Sequence, residues 1–463
     1  MRRMRDLIRL VVLGVVVTGA LLVAQVQPPP APWRGAGPTP CVGADGGIFQ
    51  CPPAPGTIAI RAGRLFDSKT ERMLTRQVVV IQGDKILDVG ADGQVKIPAG
   101  AQLLDMSNAT VLPGLIDAHT HMFNTPRPGM SREMSTIIAI QNLQNDLRAG
   151  FTAARDMSSH GNGYADVEIR DAIDAGRVDG PRFQVAGRGI AWRGNRPADA
   201  AVNPLDGILV STEEEARAAV REHVDRKVDW IKLYPTGGYS FNATGQAQYV
   251  LTYPMPVLQA LVNESHRLGK KTACHVLGGE GQKNAIIAGC DTIEHAFDLD
   301  QEQANMIVQK GLFYDPTLQR YIEPYMDDND AKNTGGKYRM IPIFEKAVTI
   351  ANGTRGMKLM VGSGADGSTY AHGTQALDFE MLVKRASVTP AHAIQAGTLT
   401  NAEAMGWADR IGSLEKGKFA DLVAVAGNPL TDITELQRVK FVMKGGKIIR
   451  DEITRGAARS GTN

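Results

Sequence analysis

VLPGLIDAHTH, at residues 111–121, is the stretch that decides the fold, because an apolar run ends there in two histidines one residue apart. Side chains alternate between the two faces of a strand, so those at i and i+2 point the same way. We therefore expect His119 and His121 to project together from the C-terminal end of a buried strand. Two neutral imidazoles on one side suit a transition metal. Two structural histidines in a loop are the alternative that this stretch alone leaves open.

Composition is that of a globular chain with a sizeable core. The 463 residues are 43% hydrophobic, and 51 basic against 49 acidic side chains give a net charge of +2. This balance argues against an electrostatic surface for nucleic acid, so no nucleic-acid partner is predicted. The length indicates more than one domain, or one large barrel with attachments.

The N-terminus has the pattern of a secretory signal peptide. A basic start, MRRMR, precedes a mostly apolar run from Leu7 to Ala24, and we expect cleavage after Ala24. The alternative is an uncleaved anchor, since the run approaches the length that spans a membrane. Only that alternative would attach the protein to a membrane. The prediction is a periplasmic or secreted protein.

The four cysteines fall into two pairs. Cys41 and Cys51 lie in a Pro/Gly-rich segment of a chain that we expect to be exported, which leaves a disulfide between them or two free thiols as alternatives. Cys274 and Cys290 stand in apolar surroundings, and this context predicts buried, reduced core residues.

Strand and helix patterns alternate through the middle of the chain. Short apolar runs are followed by helical stretches, for example at residues 213–223, 255–268 and 301–310. This order predicts parallel strands with crossover helices, in an open sheet or a closed barrel. The chemistry then belongs at the C-terminal ends of the strands.

β-rich segments flank this α/β body on both sides. Strand-like runs occupy residues 57–61, 77–81 and 85–89 before it and residues 419–425 and 439–443 after it, and residues 444–447 form a hairpin turn. The economical interpretation is one β-sandwich built from both ends of the chain. The predicted segments are a signal peptide (1–24), a Pro/Gly-rich linker (25–56), the first part of the sandwich (57–110), the α/β body (111–410), the second part of the sandwich (411–453) and a disordered tail (454–463).

Polar side chains stand at the C-terminal ends of several predicted strands, namely Lys232, His275, His295 and Asp366. A buried lysine is costly unless it has a partner or has lost its charge. Each residue also has an ordinary explanation, and Glu294 with His295 could be a solvated pair. A barrel would nevertheless bring all these ends to one rim. We therefore expect the set to meet His119 and His121 there.

Most of the chain, from about residue 57 to residue 450, resembles the amidohydrolase superfamily, in the branch of imidazolonepropionase-like proteins and metal-dependent prolidases. The motifs that carry the resemblance are PGLIDAHTH (113–121), IKLY (231–234), IEH (293–295) and IGSLEKGKFADLV (411–423). The sequence departs from the family pattern at Ala365, where threonine is usual, and at His275, where two histidines are common. The resemblance implies a distorted TIM (β/α)8 barrel with a small β-sandwich, and a homo-oligomer.

The resemblance also implies two divalent metal ions at the mouth of the barrel, with zinc as the default for a histidine-rich site. The implied ligands are His119, His121 and Asp366 for the more buried ion, His275 and His295 for the second ion, and Lys232 between them. Lys232 would be carboxylated by carbon dioxide and would bridge the ions as a carbamate. Such an anion solves the burial problem of the lysine by binding cations.

The predicted reaction is hydrolysis of an amide or peptide-like C–N bond in a dipeptide, an N-acyl amino acid or an ochratoxin-like amide. A hydroxide that bridges the two metals would attack the carbonyl carbon. Asp366 would take the water proton and pass it to the leaving amine. Tyr234 would help to stabilise the oxyanion, or it is simply a core aromatic.

Further polar residues are candidates to line the substrate pocket, namely His160, Arg155, Arg188 and His372. The two arginines could hold a substrate carboxylate by a bidentate contact, or each could be a structural ion-pair partner. The remaining histidines are discounted: His223 and His266 are expected on the surface of amphipathic helices, and His392 is expected to be structural.

Three other functions stay open from the sequence. A lactonase or phosphotriesterase could use the same metal centre. A one-metal deaminase or cyclic-amide hydrolase is disfavoured by Lys232, because one-metal members usually lack the bridging lysine. A barrel without chemistry that serves as a binding module is disfavoured by the complete set of ligands.

Overall fold

The structure is a computed structural model that describes residues 41–42, 48–49, 56–123, 130–194, 207–322, 336–367 and 371–454. The predicted signal peptide, most of the predicted linker, the tail from residue 455 and the pairing of Cys41 with Cys51 lie outside the described residues. Among the residues that are described, no helix has both the length and the apolar composition needed to cross a membrane.

Strands and helices alternate along the described chain. The strands are β1 (Cys41–Val42), β2 (Ile48–Phe49), β3 (Thr57–Asp67), β4 (Arg72–Gln82), β5 (Lys85–Ala91), β6 (Gln102–Pro113), β7 (Leu115–Thr120), β8 (Phe151–Asp156), β9 (Arg182–Val185), β10 (Gly189–Trp192), β11 (Gly207–Val210), β12 (Trp230–Leu233), β13 (Thr236–Phe241), β14 (Ala247–Leu251), β15 (Lys271–Val276), β16 (Thr292–His295), β17 (Phe313–Asp315), β18 (Lys358–Leu359), β19 (Leu422–Val425), β20 (Phe441–Lys444) and β21 (Lys447–Asp451). The helices are α1 (Arg132–Ala149), α2 (Ala165–Asp174), α3 (Glu213–Asp225), α4 (Met255–Arg267), α5 (Gly279–Ala288), α6 (Gln301–Lys310), α7 (Leu318–Ile322), α8 (Gly336–Gly353), α9 (Leu377–Ala386), α10 (Pro390–Gln395) and α11 (Asn401–Ala404), with a π-helical turn at Ala396–Thr400 and a 3-10 turn at Ile433–Arg438.

Strands from both ends of the described chain share one seven-stranded sheet, in the order β21-β20-β19-β6-β3-β4-β5. The early and late strands meet where β19 runs antiparallel to β6, with Val423 opposite Leu112. The turn between β20 and β21 contains Gly445 and Gly446 at φ values of 54° and 74°, which is the backbone of a tight type I′ hairpin. The last strands of the chain thus extend a sheet that the first strands begin.

Two parallel sheets form the α/β body, in the orders β7-β8-β9 and β11-β10-β12-β15-β16-β17-β18. Backbone hydrogen bonds join them in two places. The amide of Asp229 donates to the carbonyl of Val185 at 2.8 Å, and the amide of Ala118 donates to the carbonyl of Val361 at 3.0 Å. The result is a TIM-barrel-like α/β fold, in which the C-terminal ends of the parallel strands face one rim.

Local sequence signals decide where the helices begin and end. The hydroxyl of Ser131 accepts a hydrogen bond from the amide of Met134 at the start of α1, and Gly150 closes the helix at a φ of 109°. Asp300 caps the start of α6 by accepting a hydrogen bond from the amide of Gln303, and Gly311 ends that helix at a φ of 70°. Short polar acceptors cap free N–H groups, and glycine tolerates the left-handed conformation that ends a helix. These caps orient the crossover helices that pack against the strands.

Cys274 and Cys290 form a disulfide, so the prediction of reduced thiols is wrong. Both residues are fully buried, as predicted. Cys274 lies on β15, and Cys290 comes just before β16, the parallel neighbour of β15. This pairing brings the two Cα atoms to 6.1 Å, a distance that a disulfide can bridge. The apolar context predicted the burial of both cysteines correctly. The disulfide was not predictable in the same way, because the distance between the two sulfur atoms depends on the register of neighbouring strands.

His223 is buried rather than exposed, which corrects the expectation of a surface position. Its ring nitrogens lie 2.8 Å from the carbonyl of Ala219 and 2.6 Å from the carbonyl of Arg188. It lies on the face of α3 that packs inward, between two main-chain carbonyl groups, and a neutral ring donates its single N–H to one of them. His266 is exposed, as expected, and His392 contacts Glu71 at 2.9 Å.

Candidate metal centre

The four predicted histidine ligands lie together at the rim. The ring centroid of His119 is 5.2 Å from that of His121 and 5.0 Å from that of His295, which in turn is 4.6 Å from His275. Burial lowers the pKa of His119 to about 3 and holds the pKa of the other three imidazoles well below its usual value. All four are therefore neutral near pH 7, the form that binds metal ions.

Lys232 is 1% exposed at the end of β12. Burial lowers the pKa of its ammonium to about 8, although the charge of Glu294 opposes the shift. The charge of Lys232 also helps to lower the pKa of His119 and of His275, which is consistent with an amine close to both rings. A lysine with this pKa has an accessible neutral form near neutral pH, and only a neutral amine can be carboxylated.

Glu294 holds His119 from behind the histidine cluster. Its Oε2 lies 2.7 Å from Nδ1 of His119, and its Oε1 accepts a hydrogen bond from Nη2 of Arg155 at 2.9 Å. Burial alone would raise the pKa of Glu294, but the charge of Arg155 and the hydrogen bond from His119 hold it well below its usual range. An ionised Glu294 accepts a hydrogen bond from the N–H at Nδ1, so the proton stays there and Nε2 of His119 is left as the nitrogen for a metal ion.

His119, Glu294 and Asp315 form a second buried grouping, in which one potential ligand atom from each residue lies within 4.8 Å of the others. The close contact between His119 and Glu294 already uses Nδ1 and Oε2. Such a carboxylate–histidine pair orients a ligand from outside the coordination sphere. Burial beside Glu294 raises the pKa of Asp315, which disfavours its ionised form. The imidazole cluster at the rim is therefore the better metal site.

His295 has an unusual backbone conformation, with a φ of 74°, and Ala296 follows at 44°. Residues other than glycine rarely adopt positive φ values. The hydroxyl of Tyr314 donates to the carbonyl of His295 at 3.0 Å, and Thr317 Oγ1 lies 2.6 Å from Nδ1 of the ring. Strain of this kind costs about 1–3 kcal/mol and is concentrated at functional sites. The fold thus imposes the orientation of this imidazole.

Asp366 lies at the same rim, next to the bridge that pairs Ala365 with Thr120. Its side chain is nearly buried and accepts a hydrogen bond at Oδ2 from Nη1 of Arg320 at 2.5 Å. The amide of His121 donates to the carbonyl of Ala365 at 2.7 Å. Asp366 is the residue after Ala365, so this main-chain hydrogen bond holds Asp366 near His121.

Tyr234 and His160 border the histidine cluster. The ring of Tyr234 lies 5.4 Å from that of His275, and the ring of His160 stacks on His121 at 4.1 Å. Gly189 allows Tyr234 to pack closely, because a Cβ there would lie 2.3 Å from the tyrosine ring. Both side chains are partly exposed, so each has a position from which it can contact a bound molecule.

The other three predicted pocket residues make contacts within the protein. Arg155 is fully buried and pairs with Glu294. Arg188 pairs with a glutamate of α3 at 3.1 Å and donates to a main-chain carbonyl at 2.7 Å. His372 lies 2.9 Å from Asp146 and 3.2 Å from the carbonyl of a ligand histidine. For the two arginines these contacts are ion pairs within the protein, the alternative to substrate binding that the sequence left open.

Glu294, Asp315 and Arg320 were not among the predicted site residues. Glu294 could have been found by the argument applied to Lys232, because a charged side chain in an apolar strand needs a partner when buried. Asp315 ends a very short strand. Arg320 follows that strand in a stretch without periodic pattern, and no sequence signal points to it.

Comparisons with known proteins agree with the fold. The family model described as Amidohydrolase family matches residues 110–449. Ochratoxinase from Aspergillus niger is 27% identical over 436 residues, with 84% of this chain and 86% of that protein covered. The crystal structure of a Xaa-Pro dipeptidase with bound methionine matches with a TM-score of 0.75 and 29% identity, over 85% of this chain and 100% of that chain. A putative prolidase from Bifidobacterium longum matches with a TM-score of 0.73 and 26% identity, over 88% and 98%.

Proposed function

Because the chain belongs to the amidohydrolase family, we propose that it is an exported binuclear metalloenzyme that cleaves the amide bond of a dipeptide, an N-acyl amino acid or an ochratoxin-like amide. It is a metal-dependent hydrolase of carbon–nitrogen bonds that acts on small molecules. An ochratoxinase and a Xaa-Pro dipeptidase among its relatives support the substrate class.

The convergence of four neutral imidazoles on one buried lysine is the observation that carries the proposal. The donor set fits two divalent ions, with zinc as the default. The proposed ligands are His119, His121, His275, His295, Asp366 and Lys232, the last as a carbamate. Two such ions supply Lewis acidity, which lowers the pKa of a water molecule and polarises a carbonyl group. Because the imidazole rings are neutral and the lysine loses its positive charge, the protein does not repel the positively charged metal ions.

Side chains at the site have separate roles in the proposed reaction. Asp366 takes a proton from the attacking water and transfers it to the leaving amine, and Arg320 holds one of its oxygens in place. Such acid–base assistance contributes about two to four orders of magnitude in rate. The Tyr234 hydroxyl donates to the oxygen that gains charge as the carbonyl carbon is attacked. His160, stacked on His121, lines the same side of the site.

Export is supported by two independent features. The basic and apolar N-terminus is typical of a secretory signal, and a disulfide joins Cys274 to Cys290 in the core of the α/β body. Disulfides persist in oxidising compartments and are rare in the cytosol. We therefore propose a periplasmic or secreted enzyme. The homo-oligomer implied by the resemblance stays a prediction.

The decisive experiment is a substrate screen of protein with measured metal content, using dipeptides, N-acyl amino acids, lactones and phosphotriesters. We expect the wild type to release an amino acid. Lys232→Ala should lose both activity and metal. The control is Lys358→Ala, which removes a strand lysine whose amine contacts the carbonyl of Gly311, and it should behave as the wild type.

Two results would contradict the proposal. Turnover of lactones or phosphotriesters alone would favour the other hydrolase function. Full amide hydrolysis by Lys232→Ala would remove the bridging role of the lysine.

A further inference from the structure

Arg320 is a charged residue at the rim that the proposed mechanism uses only to hold Asp366. It lies on α7, directly after β17, and its amide donates to the carbonyl of Thr317 at 3.2 Å. Thr317 contacts His295, and the ring of Tyr321 lies 5.0 Å from the ring of His295. Both neighbours therefore pack against the histidine cluster, and α7 forms part of the wall of the site.

The stem of Arg320 runs over the backbone that leads to Asp366. Gly364 has a φ of 62°, and a Cβ there would lie 2.9 Å from the Cβ of Arg320. A side chain at residue 364 would therefore push the arginine away. The close approach of stem and backbone fixes the direction of the guanidinium, which reaches Asp366 at 2.5 Å.

The side chain of Arg320 is partly open to solvent. It is 30% exposed, while Arg155 is fully buried behind the cluster. The charge of Arg320 also helps to lower the pKa of His121, after burial and the neighbouring histidines. Arg320 therefore combines a contact to a candidate ligand, Asp366, with a partly exposed side chain.

We propose that Arg320 binds the carboxylate of the substrate and so selects amides whose leaving group is a free amino acid. This inference rests on the proposed amide hydrolysis. A guanidinium carries five N–H donors in a planar fork, so it can hold a second carboxylate while it keeps its contact with Asp366. In an N-acyl amino acid the carboxylate is separated from the scissile nitrogen by a single carbon atom. A cation beside the proton-transferring Asp366 is therefore at the correct end of the bond.

The test compares an N-acyl amino acid with its carboxamide, which has the same shape and no charge. Both substrates lose the support that Arg320 gives Asp366, so we expect Arg320→Gln to lower kcat/KM about 10- to 100-fold more for the acid than for the carboxamide. Arg320→Lys keeps the charge without the fork and should recover part of the loss. The matched control is Arg385→Gln, because Arg385 is 35% exposed and pairs with Glu345 at 2.7 Å.

A binding measurement separates this inference from the reaction. Calorimetry on metal-loaded protein should show that the wild type prefers the product amino acid to its amide, and that Arg320→Gln loses this preference. If the wild type hydrolyses no amide, the proposed function fails while the binding result still decides the role of Arg320. Equal binding of acid and amide by the wild type would overturn the inference. An equal fall in kcat/KM for both substrates, or loss of metal from Arg320→Gln, would also overturn the inference. Either result would mean that Arg320 only holds Asp366 in place.

Discussion

Buried charges at the rim satisfy one another in a connected set. Glu294 is shared between Arg155 and His119, and all three side chains are 0–1% exposed. A buried charge that loses its partner costs several kcal/mol, because the remaining charge has neither water nor a counter-ion. Substitutions at these positions therefore change the site through residues that never contact a substrate.

Glu294→Gln should lower the affinity for metal about 10- to 100-fold, because a neutral amide holds the N–H of His119 less strongly than a carboxylate and can also turn its NH2 group toward the ring. Competition with a chelator of known affinity would measure the change. Glu302→Gln is the control, since Glu302 is 71% exposed and pairs only loosely with Lys283. Unchanged affinity in Glu294→Gln would mean that another group orients the ring.

The positions of the candidate ligands were predictable because these residues stand at the ends of strands, where one repeated pattern places them. His119 and His121 followed from alternation along a strand, and Lys232 from the cost of burial. Arg320 was not predictable, because its position depends on how α7 packs over Gly364, a contact that joins distant parts of the chain. The roles of the predicted residues stay predictions until they are measured.

Single elements are tied to their neighbours by side chains at their ends. His266, at the end of α4, contacts Asp291 at 2.8 Å, just before β16 begins. Asp291 also accepts a hydrogen bond from the amide of Thr272 on β15 at 2.8 Å. One carboxylate thus connects a helix to two strands that carry candidate ligand histidines.

The contribution of His266 to stability should depend on pH. The hydrogen bond from His266 and the charge of Asp291 raise the pKa of the imidazole. Because the folded-state pKa is the higher one, the stabilisation is fully present below the unfolded pKa of about 6.5 and is lost as the pH rises through the folded value. Burial opposes ionisation of Asp291, but its hydrogen bonds hold its pKa below 3.8, so the pair also weakens in strong acid.

His266→Gln should therefore lower the free energy of unfolding more at about pH 5.5 than at about pH 8.5. The difference should stay below about 1 kcal/mol, because the pair is partly exposed to water. Urea unfolding at the two pH values measures it. Gln259→Ala on the same helix removes a group that does not titrate and should cost the same at both. A larger loss for His266→Gln at the higher pH would contradict the assignment.

The periodicity of apolar residues in the sequence predicted the helices better than it predicted the contacts between helices and strands. The helical patterns at residues 213–223, 255–268 and 301–310 correspond to α3, α4 and α6. The disulfide between Cys274 and Cys290 was missed because it depends on which strands are neighbours. The inward position of His223 was missed because one of its two carbonyl contacts comes from Arg188, in a loop that is distant in the sequence.

The sheet from the two ends of the chain and the α/β body are joined by a buried ion pair. Arg182 on β9 donates through Nε and Nη2 to both oxygens of Asp421, at 2.6 and 2.9 Å. The amide of Gly445 donates to Asp421 at 2.7 Å. The pair therefore connects a barrel strand to the start of β19 and to the last hairpin.

Arg182→Met should lower the free energy of unfolding by about 3–5 kcal/mol, because it leaves Asp421 buried without a cation. Urea unfolding measures this loss. The double variant Arg182→Met/Asp421→Leu should recover part of it, since an apolar pair leaves no buried charge. Lys447→Met is the control, as Lys447 and Asp179 are both 65% exposed and should contribute less than about 1 kcal/mol. A loss no larger than that of the control would show that the Arg182 pair is not a strong link.

The pairing of β6 with β19 also constrains how the protein is made. About 300 residues must be synthesised after β6 before β19 exists, which takes roughly 15 to 60 seconds at about 5 to 20 residues per second. During that time the edge of β6 that β19 later covers is open on the nascent chain, and an open edge is a template for aggregation. A ribosome that stops before residue 422 would release a chain with this edge still open. Successful biogenesis therefore depends on the last part of the message as much as on the first.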